Sequence, residues 1–294
     1  AIRDSKHGLL ESVLALVAET VVTLDRETNR RTVLIAGICG KTPQAIQEAR
    51  LARDLGYDIG LLSLASFPES DDETLLGHCR TVAREIPLMG FYLQPAAGGR
   101  LLSSSFWRQL AEIPNLVAIK IAPFNRYHTL DVIRGVAQSG RASEIALYTG
   151  NDDHIVVDLL TEFVLPVGKE MIRLSIVGGL LGHWACWTRR AVQLLEQCQA
   201  VHRQDAIPAD LLTLAAQVTD ANAALFDAAN GFAGATPGIH EVLHRQGLLA
   251  NTLCLDPEET LSPGQSSEID RVYAAYPALN DDEFVREHLD EWLN

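Results

Sequence analysis

The sequence is short of cations, of paired cysteines and of long apolar runs, and each shortage removes a class of function. Lysine and arginine number 24 against 38 aspartates and glutamates, a net charge of −14 over 294 residues. So acidic a chain repels phosphate backbones and anionic bilayers, which argues against nucleic acid or membrane as the main partner and favours a small molecule or a protein. The five cysteines (Cys39, Cys79, Cys186, Cys198, Cys254) are odd in number, widely spaced and never CxxC. They read as the reduced thiols of a cytoplasmic protein rather than a disulfide frame or a zinc site. No apolar run reaches the roughly 18 residues that span a bilayer, and no basic-then-apolar leader is present. The chain opens on Ala1 rather than methionine, so an N-terminal segment before Ala1 is expected.

What is present is a repeated alternation of apolar strands and amphipathic helices. Apolar residues at helical spacing from Leu9 to about Thr28 predict a first helix. Strands follow with centres near 34, 60, 90, 118, 146 and 174, and helices fill the intervals, with Thr42-Pro43 fitting a helix start. A βα unit every 26 to 30 residues, six times over, calls for a parallel sheet with outer helices. Beyond Gly179 the chain reads as helical throughout, over 184–203, 208–230, 237–246, 266–275 and 281–293. An eightfold barrel needs two more strands. Either they precede Ala1, the favoured reading because the chain starts on a helix that would follow a second strand, or the sheet is open and six-stranded.

The centre of this pattern is Leu116-Val117-Ala118-Ile119-Lys120, a buried-strand sequence that runs into a lysine after the turn Ile113-Pro114-Asn115. Burial disfavours an ammonium, and a partly neutral amine in an apolar pocket attacks carbonyls and forms Schiff bases. The alternative is a lysine that reaches solvent or pairs with a carboxylate. In a parallel α/β barrel the C-terminal strand ends carry the site. Gly37, Tyr92, Gly150 and Gly178-Gly179 lie at such ends beside Lys120, and Arg100 follows a proline- and glycine-rich loop on the same side, where it could grip a carboxylate. Tyr92 ends the strand before that of Lys120 and is expected to approach it and shuttle protons.

These segments, in this order, resemble the dihydrodipicolinate synthase / N-acetylneuraminate lyase family of class I aldolases. The likeness rests on Val33 to Gly37 with the helix from Thr42, on Tyr92-Leu93-Gln94-Pro95 with a following glycine and arginine, on Ala111 to Lys120, on Tyr148 to Asp153, and on Phe226 to Asn230. It covers roughly Val33 to Leu249. Ala118 and Ile121 depart from the family's usual glycine and acidic residue around the lysine. The resemblance implies a (β/α)8 TIM barrel over 1–182, its first two strands outside this sequence, and a final barrel helix with a C-terminal helical appendage over 183–294. It implies Lys120 as the imine-forming lysine and Tyr92 as the proton relay. Arg100, Gly37, Gly150, Asn151, Gly178 and Gly179 would line the substrate. Pyruvate or another 2-keto acid, such as a keto-deoxy sugar acid, would be the substrate, with no metal or organic cofactor, in a homodimer or homotetramer. The competing class is a barrel that has lost catalysis and binds a small molecule or regulates.

Three further features read as structural. His183-Trp184 fits packing at a helix start. Asp152-Asp153-His154 cannot aim three adjacent side chains at one ion, and N-capping by Asn151 or Asp152 suits it better. Gly40-Lys41-Thr42 ends like a phosphate-binding loop but lacks that motif's leading glycine, which argues against a nucleotide role.

Overall fold

The computed structural model describes residues 2–4, 6–202, 204 and 206–293, with backbone only at His183. The chain forms two compact units interleaved in sequence: Ala1–Tyr148 with Glu162–Leu174, and Thr149–Thr161 with Ser175–Asn294.

The first unit opens with α1 (Leu10–Thr28) and then alternates β1 (Ile35–Ile38), α2 (Thr42–Asp54), β2 (Ile59–Leu62), α3 (Asp72–Val82), β3 (Leu88–Leu93), α4 (Ser104–Ala111), β4 (Leu116–Ala122), α5 (Arg126–Gln138) and β5 (Ala146–Thr149). Local chemistry sets the helix starts. Asp71 accepts from the Thr74 amide at 2.8 Å, Ser103 from Phe106 at 3.2 Å and Asn125 from Tyr127 at 2.9 Å, each satisfying an amide that the first turn leaves unpaired. The Asn125 cap starts α5 at Arg126.

Strands β1 to β4 pair in parallel and in chain order, with one irregularity beside Leu88 and Met89. Alternation along them separates two faces. Ala36, Ile38, Leu62, Tyr92, Ile119 and Ile121 are buried on one face. That face lies against the helices: a Cβ on Gly90 would sit 3.1 Å from Leu110 and 3.7 Å from Trp107, both on α4. The opposite, inner face carries Ile35, Ile59, Leu61, Phe91, Leu93 and Lys120, all half-buried. Burying the helix-side face supplies the core, at about 1.5–3 kcal/mol for each large apolar side chain removed from water.

One strand was not legible. The sequence pattern carries the helix after Gly150 to about Phe163, but α6 (Ile155–Leu160) stops at Leu160, and Thr161 is extended. The run Glu162–Val167 forms β6, and Gly168-Lys169 turns it into β7 (Glu170–Gly179). A two-residue connection between bonded neighbours makes the pair antiparallel. Gly168 takes φ +63, which the turn requires, and Arg173 pairs with Glu162 across the hairpin. The sheet order is β1-β2-β3-β4-β5-β7-β6, so the six strands read from the sequence are present in their expected order and β6 is added at one edge.

The second unit holds α6, the C-terminal half of β7, and α7 (Thr188–Val201), α8 (Ala209–Leu225), α9 (Ala235–Arg245), α10 (Gln265–Ala275) and α11 (Asp282–Leu293). Helix α8 is its hub and packs on α6, α9 and α10. The helix expected over 184–203 begins later, at Thr188, because Gly182–Ala185 is a 3-10 turn and Trp187 sits at φ +54; Arg203 lies outside the described residues. The helix expected over 208–230 ends at Leu225, where Asp227 enters the left-handed region at φ +58. Among the described residues no helix is long and apolar enough to cross a membrane.

Candidate functional site

Lys120 is the third residue from the end of β4 and lies on the inner face of the sheet. Its strand is held in place from below. The guanidinium of Arg141 donates to the carbonyls of Ala111 at 2.9 Å, Pro114 at 3.0 Å and Leu116 at 3.3 Å, and also to that of Ile113. The turn that feeds the lysine strand is thereby fixed by one side chain. Ala118 and Ala122 flank Lys120 on β4, and Phe91 stands opposite it on β3. Nζ lies 4.5 Å from the centroid of the Phe91 ring, a cation–π distance.

Tyr92 is not brought to Lys120. It pairs with Ile121, one residue on, so its side chain leaves the opposite face of the sheet. Its ring packs 4.9 Å from that of Trp107 and 6.1 Å from that of His128. The hydroxyl donates to the Leu102 carbonyl at 3.4 Å and accepts from the Leu102 amide at 3.3 Å. The residue is 0% exposed, and burial pushes its phenol above the ordinary tyrosine range. These are the properties of a core tyrosine that anchors the loop after β3. The aromatic that does face the lysine is Phe91, which sequence reasoning missed; choosing between adjacent aromatics needs the strand register.

Arg100 follows that loop. Its Nη1 donates to the Phe67 carbonyl at 2.7 Å, while Nε is buried without a hydrogen-bond partner among the described residues. Gly99 lets the loop turn: a Cβ there would lie 1.9 Å from the Leu93 carbonyl oxygen. On the neighbouring β2–α3 loop, Phe67 also receives the Lys41 ammonium at 4.1 Å over its ring. Gly37 ends up exposed in β1, with the Arg3 guanidinium on its carbonyl at 2.6 Å. Glu48 is buried beneath the β1–α2 loop, accepting from Arg3 and from the Cys39 amide at 3.0 Å.

The remaining residues expected at the site belong to the second unit. Asn151 is 1% exposed, and its side chain reaches α6. Its Nδ2 donates to Asp158 at 3.0 Å, its amide donates to the Thr149 hydroxyl at 3.1 Å, and that hydroxyl donates to Asp158 at 2.6 Å. The N-cap expected at Asn151 or Asp152 falls instead on His154, which makes no side-chain cap bond. Asn222 and Thr219 fasten the same loop through the carbonyls of Asp152 and Asp153. Gly150 and Gly178 are buried backbone positions. Gly179 makes room for the Trp184 indole, which would lie 2.3 Å from a Cβ. The His183 side chain lies outside the described residues. Among the described residues no group of three histidines, cysteines or carboxylates could hold a metal ion.

No family model matches the chain. In sequence it is similar to 4-hydroxy-tetrahydrodipicolinate synthase from a Cyanothece species, 33% identical over 163 residues, which is 54% of this chain and 52% of the relative. The enzyme of that name from Staphylococcus haemolyticus is 29% identical over 155 residues, 52% and 48% of the two chains. The chain thus spans about half the length of the curated relatives it matches. In structure it is similar to dihydrodipicolinate synthase from Oceanobacillus iheyensis, with TM-score 0.67, 20% identity and coverage of 92% of this chain and 81% of that one. The Acinetobacter baumannii enzyme, solved in complex with pyruvate, superposes with TM-score 0.66 and 22% identity over 89% and 80%. In fold the chain is thus similar to these dihydrodipicolinate synthases, with consecutive βα units in one sheet followed by a C-terminal helical region.

Proposed function

We propose that the chain is the core of a class I lyase, an aldolase or dehydratase, that forms a Schiff base between Lys120 and the ketone of a 2-keto acid. The observation that carries this reading is the placement of Lys120: an amine on the half-buried inner face of a central parallel strand, near its C-terminal end, with alanines beside it and an aromatic ring opposite. An amine so placed, once neutral, adds to a ketone carbonyl and forms a Schiff base. The names of the relatives and the pyruvate bound by the Acinetobacter enzyme support a keto acid as the electrophile.

In this reading the neutral amine adds to the ketone carbon and water leaves. The resulting protonated imine then draws electrons from the adjacent bond, so that a carbon–carbon or carbon–oxygen bond is made or broken. The Phe91 ring face favours the cationic imine. Arg100, held by the Phe67 carbonyl, is the proposed contact for a substrate carboxylate.

Borohydride trapping tests the reading. The protein is incubated with pyruvate, 2-oxobutyrate or 2-oxoglutarate, reduced, and weighed intact, with Lys120→Ala alongside. The expected result is a mass increase matching one keto acid and absent from the variant. An unmodified wild-type mass with all three acids, while Lys120 still reacts with a small amine reagent, would count against imine chemistry on these substrates and favour a barrel that only binds.

A further inference from the structure

Lys120 faces a phenylalanine, and a phenyl ring moves no protons. Imine formation and its use as an electron sink both need a group that does. Resting on the Schiff-base reading above, we propose that Tyr148 on β5 is the proton-relay residue of the Lys120 site.

The placement follows from alternation on two neighbouring strands. Strand β5 lies beside β4 in the sheet. Leu147 and Thr149 are 1% and 0% exposed, and Thr149 turns its hydroxyl to Asp158 on α6. Tyr148, between them, leaves the other face and is half-buried. On β4 the same division holds: Ile119 and Ile121 are fully buried on the helix side, and Lys120 is half-buried on the inner side. Tyr148 and Lys120 therefore share the inner face on adjacent strands, each close to its strand's C-terminal end. Neighbouring strands lie about 4.8 Å apart and diagonal partners about 7–8 Å apart, within the reach of a phenol and a lysine.

The state of the hydroxyl is the second observation. Tyr57, Tyr92 and Tyr276 each bond their hydroxyl to a backbone carbonyl or a carboxylate, whereas the hydroxyls of Tyr127, which is 80% exposed, and of half-buried Tyr273 make no hydrogen bond among the described residues. The Tyr148 hydroxyl makes no hydrogen bond among the described residues. A half-buried phenol without a protein partner, on the face that carries the amine, is free to bond a bound substrate.

The proton balance closes on this one group. When the Lys120 amine adds to the ketone, the phenol gives its proton to the carbonyl oxygen and takes one from nitrogen, leaving a carbinolamine. The phenol then protonates the departing hydroxyl, water leaves, and the protonated imine forms with a phenolate beside it. The phenolate removes a proton from C3 of the imine, which yields the enamine and restores the phenol.

The test reads C3 chemistry separately from trapping. Deuterium exchange at C3 of whichever keto acid is trapped is followed by NMR for wild type and Tyr148→Phe, and the borohydride adduct of both is weighed after short and prolonged incubation. Tyr148→Phe should exchange about 10²–10⁴-fold more slowly, yet reach the full adduct on prolonged incubation, because its amine and its fold are intact. Exchange within threefold of wild type overturns the assignment and leaves the Schiff-base reading standing. A variant that is never trapped overturns it too, since the role would then be structural. Absence of an adduct in wild type removes both.

Discussion

Phe91 and Lys120 stand directly opposite one another in the β3–β4 ladder, ring face to ammonium at 4.5 Å, while Tyr92, the next residue, points the other way. The two aromatics therefore do different work, and substitution separates them. Tyr92→Phe removes one hydroxyl from a buried site and should cost about 0.5–1.5 kcal/mol in urea denaturation, with the keto-acid adduct retained. Tyr92→Ala should cost about 3–5 kcal/mol, the cost of emptying a packed aromatic site. Phe91→Ala, on the half-buried face, should cost less stability than Tyr92→Ala but slow adduct formation by exposing Nζ to water. Loss of the adduct in Tyr92→Phe at unchanged stability would contradict this division.

The strand that carries the lysine, its apolar neighbours and the order of the βα units were all legible in the sequence, because each is a local property: an apolar run, a turn signal, a period. Which face a residue takes is not local. Tyr92 and Phe91 are equally good aromatics at a strand end, and only the pairing of β3 with β4, shifted by the irregularity at Leu88 and Met89, decides which one meets Lys120. The partner of Asn151 shows the same limit. A polar residue in a glycine-containing loop after a strand looks like a ligand contact, but its partner Asp158 lies a turn into the next helix, where it reads only as a polar position. The hairpin of β6 and β7 was hidden because the helical pattern from 155 carries on to about Phe163, and only the glycine at 168 hinted at a turn.

Arg141 offers a test of how the lysine strand is positioned. Its fork reaches four carbonyls between Ala111 and Leu116 and also pairs with Glu144 at 2.8 Å. A lysine keeps the charge but cannot span that arc. Arg141→Lys should lower stability by about 2 kcal/mol, since at least two carbonyls lose a charged donor. The borohydride adduct should form more slowly as well, because the lead-in to Lys120 loosens. Unchanged stability in a denaturant titration would show that the fork is redundant.

The thiols should sort by burial. Cys79, Cys186 and Cys198 are buried, and burial pushes their thiols up to about 12, about 12 and about 11. Cys39 and Cys254 are half-buried, and their thiols are raised above the ordinary range, chiefly by burial and also by nearby carboxylates. Reactivity follows the thiolate. A disulfide reagent at mildly alkaline pH should therefore titrate at most two thiols of the native protein, both more slowly than a free thiol, and all five after unfolding in urea. Rapid modification of a third thiol in the native protein would place one of the buried three in an opening segment.

His78 on α3 should make the first unit sensitive to acid. Its ring is 3% exposed and packs 4.6 Å from that of Phe67; Nδ1 bonds the Thr42 hydroxyl at 2.9 Å, and Nε2 is buried without a partner among the described residues. Burial, with the nearby Lys41 charge, holds its pKa below the usual 6.5, so the folded state keeps the imidazole neutral. An unfolded chain takes up a proton below pH 6.5, and the folded chain does so only at lower pH. Between those two values the unfolded state binds more protons, so stability is whole above about pH 6.5 and falls as the pH drops through that window, by at most about 1.4 kcal/mol per pH unit from this group. His78→Leu removes the titration while keeping the apolar contact with Phe67. In urea titrations from about pH 7.5 to about pH 5, wild type should lose stability more steeply than the variant, and the gap between them should move in the variant's favour as the pH falls. Parallel curves would mean that His78 takes up its proton in the folded state at an ordinary pH.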